Sequence, residues 1–277
     1  MNDMANVETW SGKDRGDENF PVGSWLIRRD LRPHVHAFYA FARNADDIAD
    51  SPALTPEDKL ARLDVMEAVL LGRSDAGSPS ASALRDSLAK TRVTPVHATE
   101  LLIAFRLDAT KRRYATLSEL YDYCRYSAMP VGRYVLDLHH ENHRTHAPSD
   151  ALCSALQLLN HLQDCGKDLA ALDRCYLPED LLAEFGSGIA DLRKPAMTLG
   201  LRKVFDSLLH RVERMTRFSS DLPKRTQDRR LRLETAIIVG LAKRLASRLE
   251  RRDPLAAPVR LSKFDFTAKT LLALRYL

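Results

Sequence analysis

Two groups of oxygen-bearing side chains, more than a hundred residues apart, carry the chemistry legible in this chain. One is Tyr39-x-x-x-Arg43-x-x-Asp46-Asp47-x-x-Asp50, and the other is Gln157-x-x-Asn160-x-x-x-Asp164-x-x-x-Asp168. Steps of three and four residues stack side chains on one side of a helix. Tyr39, Arg43, Asp46 and Asp50 continue the apolar stripe of Val35, Phe38, Tyr39, Ala42, Ala45 and Ala49, so Asp46 and Asp50 are expected to point inward together. Paired inward carboxylates repel and lose hydration, and they need either a cation or a proton. The second helix carries Leu152, Leu156, Leu158, Leu159 and Leu162 in several directions, which predicts burial nearly all round. Carboxylates and the Asn160 amide carbonyl are hard oxygen donors, suited to Mg²⁺ or Mn²⁺ rather than zinc. Magnesium completes its shell with water and phosphate oxygens, so two facing stripes of this kind would clamp a diphosphate. A lone Asp-x-x-x-Asp on a helix is usually a solvated face. Here both stripes run in phase with apolar faces and carry further polar residues in register, which favours metal binding.

The elements that must position these stripes are helices. Eleven glycines, long Leu/Ala/Arg-rich segments and scarce alternating β-branched runs predict an all-α fold. The first helix spans about 31–49. Thr55-Pro56-Glu57-Asp58 starts the next, which runs to about Leu71, through an N-cap, a first-turn proline and acidic residues. A Gly/Ser/Pro loop over 72–82 precedes helices near 82–91 and 95–108, then a charged turn over 108–114. A long helix from near Leu117 is expected to bend at Ser127–Gly132, where Pro130 removes an amide donor. Ser149 is taken to begin the second metal-stripe helix, and helices near 190–219 and 227–252 follow.

A chain of 277 residues with 45% hydrophobic content buries one large core. The expected organisation is a polar tail over 1–17 and one domain over 18–277. The start lacks the basic and apolar run of a secretory signal, and no apolar stretch approaches the ~20 residues that span a bilayer. A cytoplasmic protein is expected. Cys124, Cys153, Cys165 and Cys175 form no C-x-x-C pair and read as reduced core or free thiols, with no case for Cys165 as a ligand. His139, His140, His143 and His146 are the rival site. The His139/His143 pair could hold zinc or nickel, but the stretch is polar all round and runs into Pro148, which favours a solvated helix end.

The two motifs, in this order, resemble those of the squalene/phytoene synthase family of all-helical, head-to-head prenyl transferases, over roughly Asn19 to Leu249. Arg174-x-Tyr176-Leu177-Pro178 matches a further family segment. The resemblance implies an isoprenoid-synthase bundle around a central apolar pocket. Asp46, Asp50, Asn160, Asp164 and Asp168 would hold Mg²⁺, and Asn19, Tyr39, Arg43, Tyr126, Met129, Gln157 and Gln163 would contact substrate. Arg112 and Arg113 would lie near the pocket mouth. Glu18-Asn19-Phe20-Pro21-Val22, Ser127-Ala128-Met129-Pro130-Val131-Gly132 and Gln163 resemble the water-capturing branch of the family that serves bacterial hopanoid synthesis. That branch converts presqualene diphosphate and water to hydroxysqualene and diphosphate, without NADPH, and is coupled to an upstream presqualene diphosphate synthase.

This chain also departs from the family's common pattern. Asp17-Glu18-Asn19-Phe20 stands where many members carry His-Ser-x-Ser-Phe, Gln163 replaces an arginine, and Leu245 falls where some have a tyrosine. The neutral amide at 163 suits a site holding one diphosphate rather than two. In the mechanism so implied, Arg43 neutralises diphosphate charge while Phe38, Phe41, Tyr126 and Met129 surround the carbocation. Presqualene diphosphate, squalene or phytoene synthesis from free prenyl diphosphates stays open, as does a catalytically silent binding factor. Between Asp221 and Lys263 there are twelve Lys and Arg against five Asp and Glu. A basic amphipathic face suits peripheral contact with anionic lipid at the inner side of a membrane. Nucleic-acid binding finds no motif or aromatic platform to support it.

Overall fold

Hydroxyls and prolines set where most helices of this protein begin. The computed structural model describes residues 6–8 and 26–276. Its helices are α1 (Arg32–Asp50), α2 (Pro56–Leu70), α3 (Pro79–Thr91), α4 (Val96–Thr110), α5 (Leu117–Ser127), α6 (Met129–Leu138), α7 (His146–Leu172), α8 (Glu179–Glu184), α9 (Leu199–Phe218), α10 (Leu222–Arg225), α11 (Arg229–Leu249) and α12 (Lys263–Ala273). No strand occurs among the described residues, so the fold is all-α as expected. Thr55, Ser78, Thr116, Thr198, Asp228 and Ser262 each accept a hydrogen bond from an otherwise orphaned amide at a helix start.

The chain folds as two compact units, one of residues 1–110 with 133–140 and one of 111–132 with 141–277. In the first, α1 packs against α2, α3 and α4. Phe41, Ala45 and Ile48 of α1 meet Leu63, Met66, Leu84, Leu101 and Leu102 in its core, and Phe38 stacks on Tyr134 at 3.9 Å. Asn6–Glu8, part of the expected tail, is anchored here. Glu8 accepts hydrogen bonds from the Ser78 and Ser80 hydroxyls and the Ser80 amide (2.6, 2.6 and 2.7 Å), and Arg62 donates to the Val7 carbonyl. In the second unit, α7 packs against α5, α9 and α11, and α12 lies along α11. Leu158, Leu159 and Leu162 join Leu201, Val204, Phe205, Leu241 and Leu245 among its buried apolar side chains.

Several boundaries differ from the sequence expectation. α3 begins at Pro79 because Ser78 caps it, so the loop is shorter than 72–82. α7 begins at His146, with Pro148 accommodated in its first turn, where a missing amide costs nothing. The stretch 190–198 is not α-helix, holding only a 3-10 turn over Ile189–Arg193. α12, unforeseen, is started by a capping box in which Ser262 and Asp265 bond each other's backbone amides. The expected bend is present, since α5 ends at Ser127, Ala128 breaks the helix and α6 restarts with Pro130 in its first turn.

Gly132 follows that bend because two helices meet there. A Cβ at Gly132 would lie 2.4 Å from Ser149 Oγ and 2.6 Å from Cys153 Sγ, both on α7. Gly132→Ala is therefore expected to cost about 1–3 kcal/mol, the usual penalty for overpacking a tight contact. Thermal melting checks this, and adding Ser149→Ala and Cys153→Ala, which remove the clashing atoms, should recover part of the loss.

Candidate active site

In the first unit, Tyr39, Arg43, Asp46 and Asp50 share one half-buried flank of α1. The fully apolar side of the helix is Val35, Phe38, Phe41, Ala45, Ile48 and Ala49, so the carboxylates border the core stripe rather than continue it. Arg43 is committed locally. Its Nε and Nη2 donate to Asp47 Oδ1 at 3.0 and 2.5 Å, and Nη2 also lies 3.0 Å from Asp46 Oδ2. Asp47, given no role from sequence, is buried and is the main anchor of Arg43.

The electrostatics of Asp46 are those of a carboxylate short of a counter-charge. Loss of hydration raises its pKa well above the usual range, and Asp50, Asp108 and Asp47 push the same way, with Arg43 opposing. Asp108 was expected in a surface turn, but it lies in the last turn of α4 and is buried. Its position just ahead of the basic run Lys111-Arg112-Arg113 concealed it, since charged clusters at helix ends normally face water.

In the second unit, Gln157, Asn160, Asp164 and Asp168 are all half-buried on α7. Neighbouring positions on the helix are closed. His161 is buried and stacks on Tyr176 at 3.7 Å, and burial pulls its pKa down to about 3, so it is neutral. Burial pushes the Cys165 thiol up to about 12, consistent with an inert core thiol. Arg174–Pro178 is buried throughout, and Arg174 Nη1 donates to the Tyr176 hydroxyl at 3.1 Å. The family segment thus packs the exit of α7.

The other residues singled out from the sequence have the following surroundings. Gln163 donates through Nε2 to the Val259 carbonyl at 2.6 Å, and a Cβ at Gly166 would lie 2.8 Å from Leu255. Both residues therefore grip the connection between α11 and α12. Arg112 donates to the Leu172 carbonyl at 2.5 Å, and Arg113 binds the Asp173 carbonyl and, at 2.7 Å, its carboxylate. These arginines satisfy the carbonyl end of α7. Phe41 is fully buried and Phe38 is held against Tyr134, so both serve the core of the first unit. Tyr126 and Met129 are half-buried on either side of the α5–α6 break, with the Arg125 guanidinium 5.5 Å from the centre of the Tyr126 ring. Leu245 is fully buried on α11. Asn19 and Glu18–Val22 lie outside the described residues. The His139/His143 pair does not form on one helix turn, because α6 ends at Leu138 and His140 takes a left-handed φ of 56°.

A carboxylate crowded by three others and opposed by one arginine, as Asp46 is, has the hard oxygen chemistry that suits a divalent cation. The fold is shared with squalene and dehydrosqualene synthases. A solved squalene synthase from Alicyclobacillus acidocaldarius has a TM-score of 0.75 at 32% identity, covering 86% of this chain and 90% of that one. A dehydrosqualene synthase solved with a ligand has a TM-score of 0.81 at 22% identity, covering 94% and 92%, a likeness of fold alone. The family model for squalene/phytoene synthase matches residues 13–265, and the chain belongs to that family. The family acts on prenyl diphosphates and is generally dependent on a divalent metal. Among its relatives are proteins named hydroxysqualene synthase from Rhodopseudomonas palustris, 46% identical over 94% of this chain and 88% of its own length, and Sinorhizobium fredii, 45% identical over 90% and 85%.

The raised Asp46 predicts a sign for stability. A carboxyl whose folded pKa exceeds its unfolded value near 4 binds its proton more tightly when folded, so it costs stability as pH rises above about 4. In EDTA at pH 7, Asp46→Asn should melt roughly 2 °C higher, a shift discounted for the third of the side chain that water still reaches. The gain should vanish near pH 4, and Mg²⁺ should stabilise the parent chain more than the variant. Differential scanning fluorimetry across pH, with and without Mg²⁺, checks all three.

Proposed function

We propose that this enzyme converts presqualene diphosphate and water to hydroxysqualene and diphosphate. The observation carrying the reading is the 43–46% identity, over most of the chain, to three proteins named hydroxysqualene synthase. Every carboxylate of both stripes is also present.

In this reading Asp46 and Asp50 on α1, with Asn160, Asp164 and Asp168 on α7, hold Mg²⁺. When bound, the metal supplies Lewis-acid stabilisation of the departing diphosphate. Asp47 holds Arg43 against Asp46, which fixes that carboxylate's direction and tempers its charge. Tyr39 and Gln157 extend the two stripes as polar contacts to the substrate head. Tyr126 and Met129 face the hydrocarbon, where an aromatic face and a soft thioether tolerate developing positive charge. Gln163 acts through the α11–α12 connection rather than by touching substrate. No nicotinamide is required, since capture by water needs no reductant. An upstream source of presqualene diphosphate is the functional neighbour. The site of action is cytoplasmic, beside an anionic membrane that the basic C-terminal third meets peripherally, with no role for nucleic acid.

A second reading is head-to-head joining of two prenyl diphosphates, favoured by the 32% identical structure described as a squalene synthase. Incubation with Mg²⁺ and presqualene diphosphate in ¹⁸O-labelled water distinguishes them. The expected product is labelled hydroxysqualene in equal yield with and without NADPH. Asp46→Asn and Asp164→Asn should each lower turnover by about a hundredfold or more with helical content unchanged, the scale expected for loss of a charge-stabilising group. Squalene appearing only with NADPH, or presqualene diphosphate accumulating from farnesyl diphosphate, favours the second reading.

A further inference from the structure

The C-terminal helix presents two unlike sides. Inward, Asp265 is buried and paired with Arg244 Nε at 2.8 Å and Arg248 Nη2 at 2.6 Å, and Ala273 is buried. The Lys269 stem crosses Gly240 so closely that a Cβ there would lie 3.1 Å from Lys269 Cδ. Outward, Phe264, Leu271, Leu272 and Leu274 keep 78%, 64%, 56% and 46% of their surface exposed. Phe264 and Leu271 are seven residues apart on α12, so they share one side of it, and Leu274 follows at its C-terminal end. Large apolar side chains clustered on one exposed face mark an interaction surface.

The sequence leading into and through this helix is one-sided in charge. From Arg251 to Tyr276 there are six basic residues, Arg251, Arg252, Arg260, Lys263, Lys269 and Arg275, against two acidic ones, Asp253 and Asp265. Both acids are engaged inward. Asp253 accepts from the amides of Met197 and Leu255, and Asp265 from Ser262 as well as its two arginines. Arg251, Arg252, Arg260, Lys263 and Arg275 are exposed. A second copy of the chain is a poor occupant, because a two-fold contact sets the same patch against itself and would bring the basic rims together. α12, at 11 residues, is also too short to cross a bilayer, and no helix among the described residues is long and apolar enough to do so.

We infer that the outer face of α12 is an interfacial docking helix for an anionic lipid bilayer. Phe264, Leu271, Leu272 and Leu274 enter the acyl boundary while Lys263, Arg275 and the preceding arginines meet lipid phosphates. The inference rests on the proposed lipidic substrate for its purpose. Its physical basis is independent of that substrate, and it moves membrane contact from the basic third at large to one helix that sequence periodicity had not revealed.

The test is co-sedimentation of the full chain with phosphatidylcholine vesicles and with vesicles containing about 30% phosphatidylglycerol. Strong binding to the anionic vesicles is expected at low salt, falling steeply above roughly 0.15 M, where the screening length is already ~8 Å. Phe264→Ser with Leu271→Ser, and separately Lys263→Glu with Arg275→Glu, should each lower partitioning by roughly tenfold or more. Melting temperature and turnover of detergent-dispersed substrate should be unchanged in both. Equal binding to the two vesicle types, or parental binding by both variants, overturns the inference. So does a dimer in sedimentation velocity that the apolar variant dissolves while vesicle binding persists. Vesicle binding as expected with no turnover of presqualene diphosphate in detergent leaves the docking helix standing and removes the functional reading; turnover without vesicle binding does the reverse.

Discussion

The crowding of carboxylates on α1 is the constraint to which the first unit is built. Asp46 meets the fields of Asp50, Asp108 and Asp47 in a place where water is partly excluded, and one arginine opposes them. Such an arrangement is unfavourable in a resting protein. It persists because the apolar side of the same helix is anchored by Phe41, Ala45 and Ile48, none of which retains exposed surface. Folding free energy from the core thus holds charges where solvation alone would not leave them. The stored repulsion is what a divalent cation placed among these carboxylates would relieve.

The second stripe is secured differently. α7 is twenty-seven residues long and is locked from several directions. Tyr176 stacks on His161, Gln163 and Gly166 hold the connection to α12, Gly132 lets α6 approach Ser149 and Cys153, and Arg112 and Arg113 satisfy the carbonyl end. Rotation of the helix by a fraction of a turn would break several of these at once. Positioning residues therefore outnumber the candidate ligands, as a precisely directed set of oxygen donors requires.

What local sequence settled was periodic or covalent in character. Stripe spacing is a property of the helix repeat, so Tyr39 to Asp50 and Gln157 to Asp168 could be read directly. Thr55-Pro56 marks a helix start because a hydroxyl oxygen and a fixed φ act within one turn. The break ahead of Pro130 followed from its missing amide. The all-helical fold followed from the same local rules, and the family from the order and spacing of its motifs.

Tertiary structure decided everything that depends on which atom lies opposite. Asp108 and Asp47 are ordinary acids in sequence; only the packing of α4 and the reach of Arg43 make one a neighbour of Asp46 and the other an anchor. Gln163 stands where many family members carry an arginine, which implies a place near the diphosphate, and only the packing of the α11–α12 connection shows its amide donating to the Val259 carbonyl. Phe38 and Phe41 looked like lining for a cation and are core, since aromatic type carries no label for which side of a wall it occupies. α12 is not legible in the sequence because its exposed side is apolar and its buried side holds Asp265, the reverse of the usual amphipathic pattern. Helical periodicity is a short-range property of the chain, whereas burial and partnership belong to the assembled molecule.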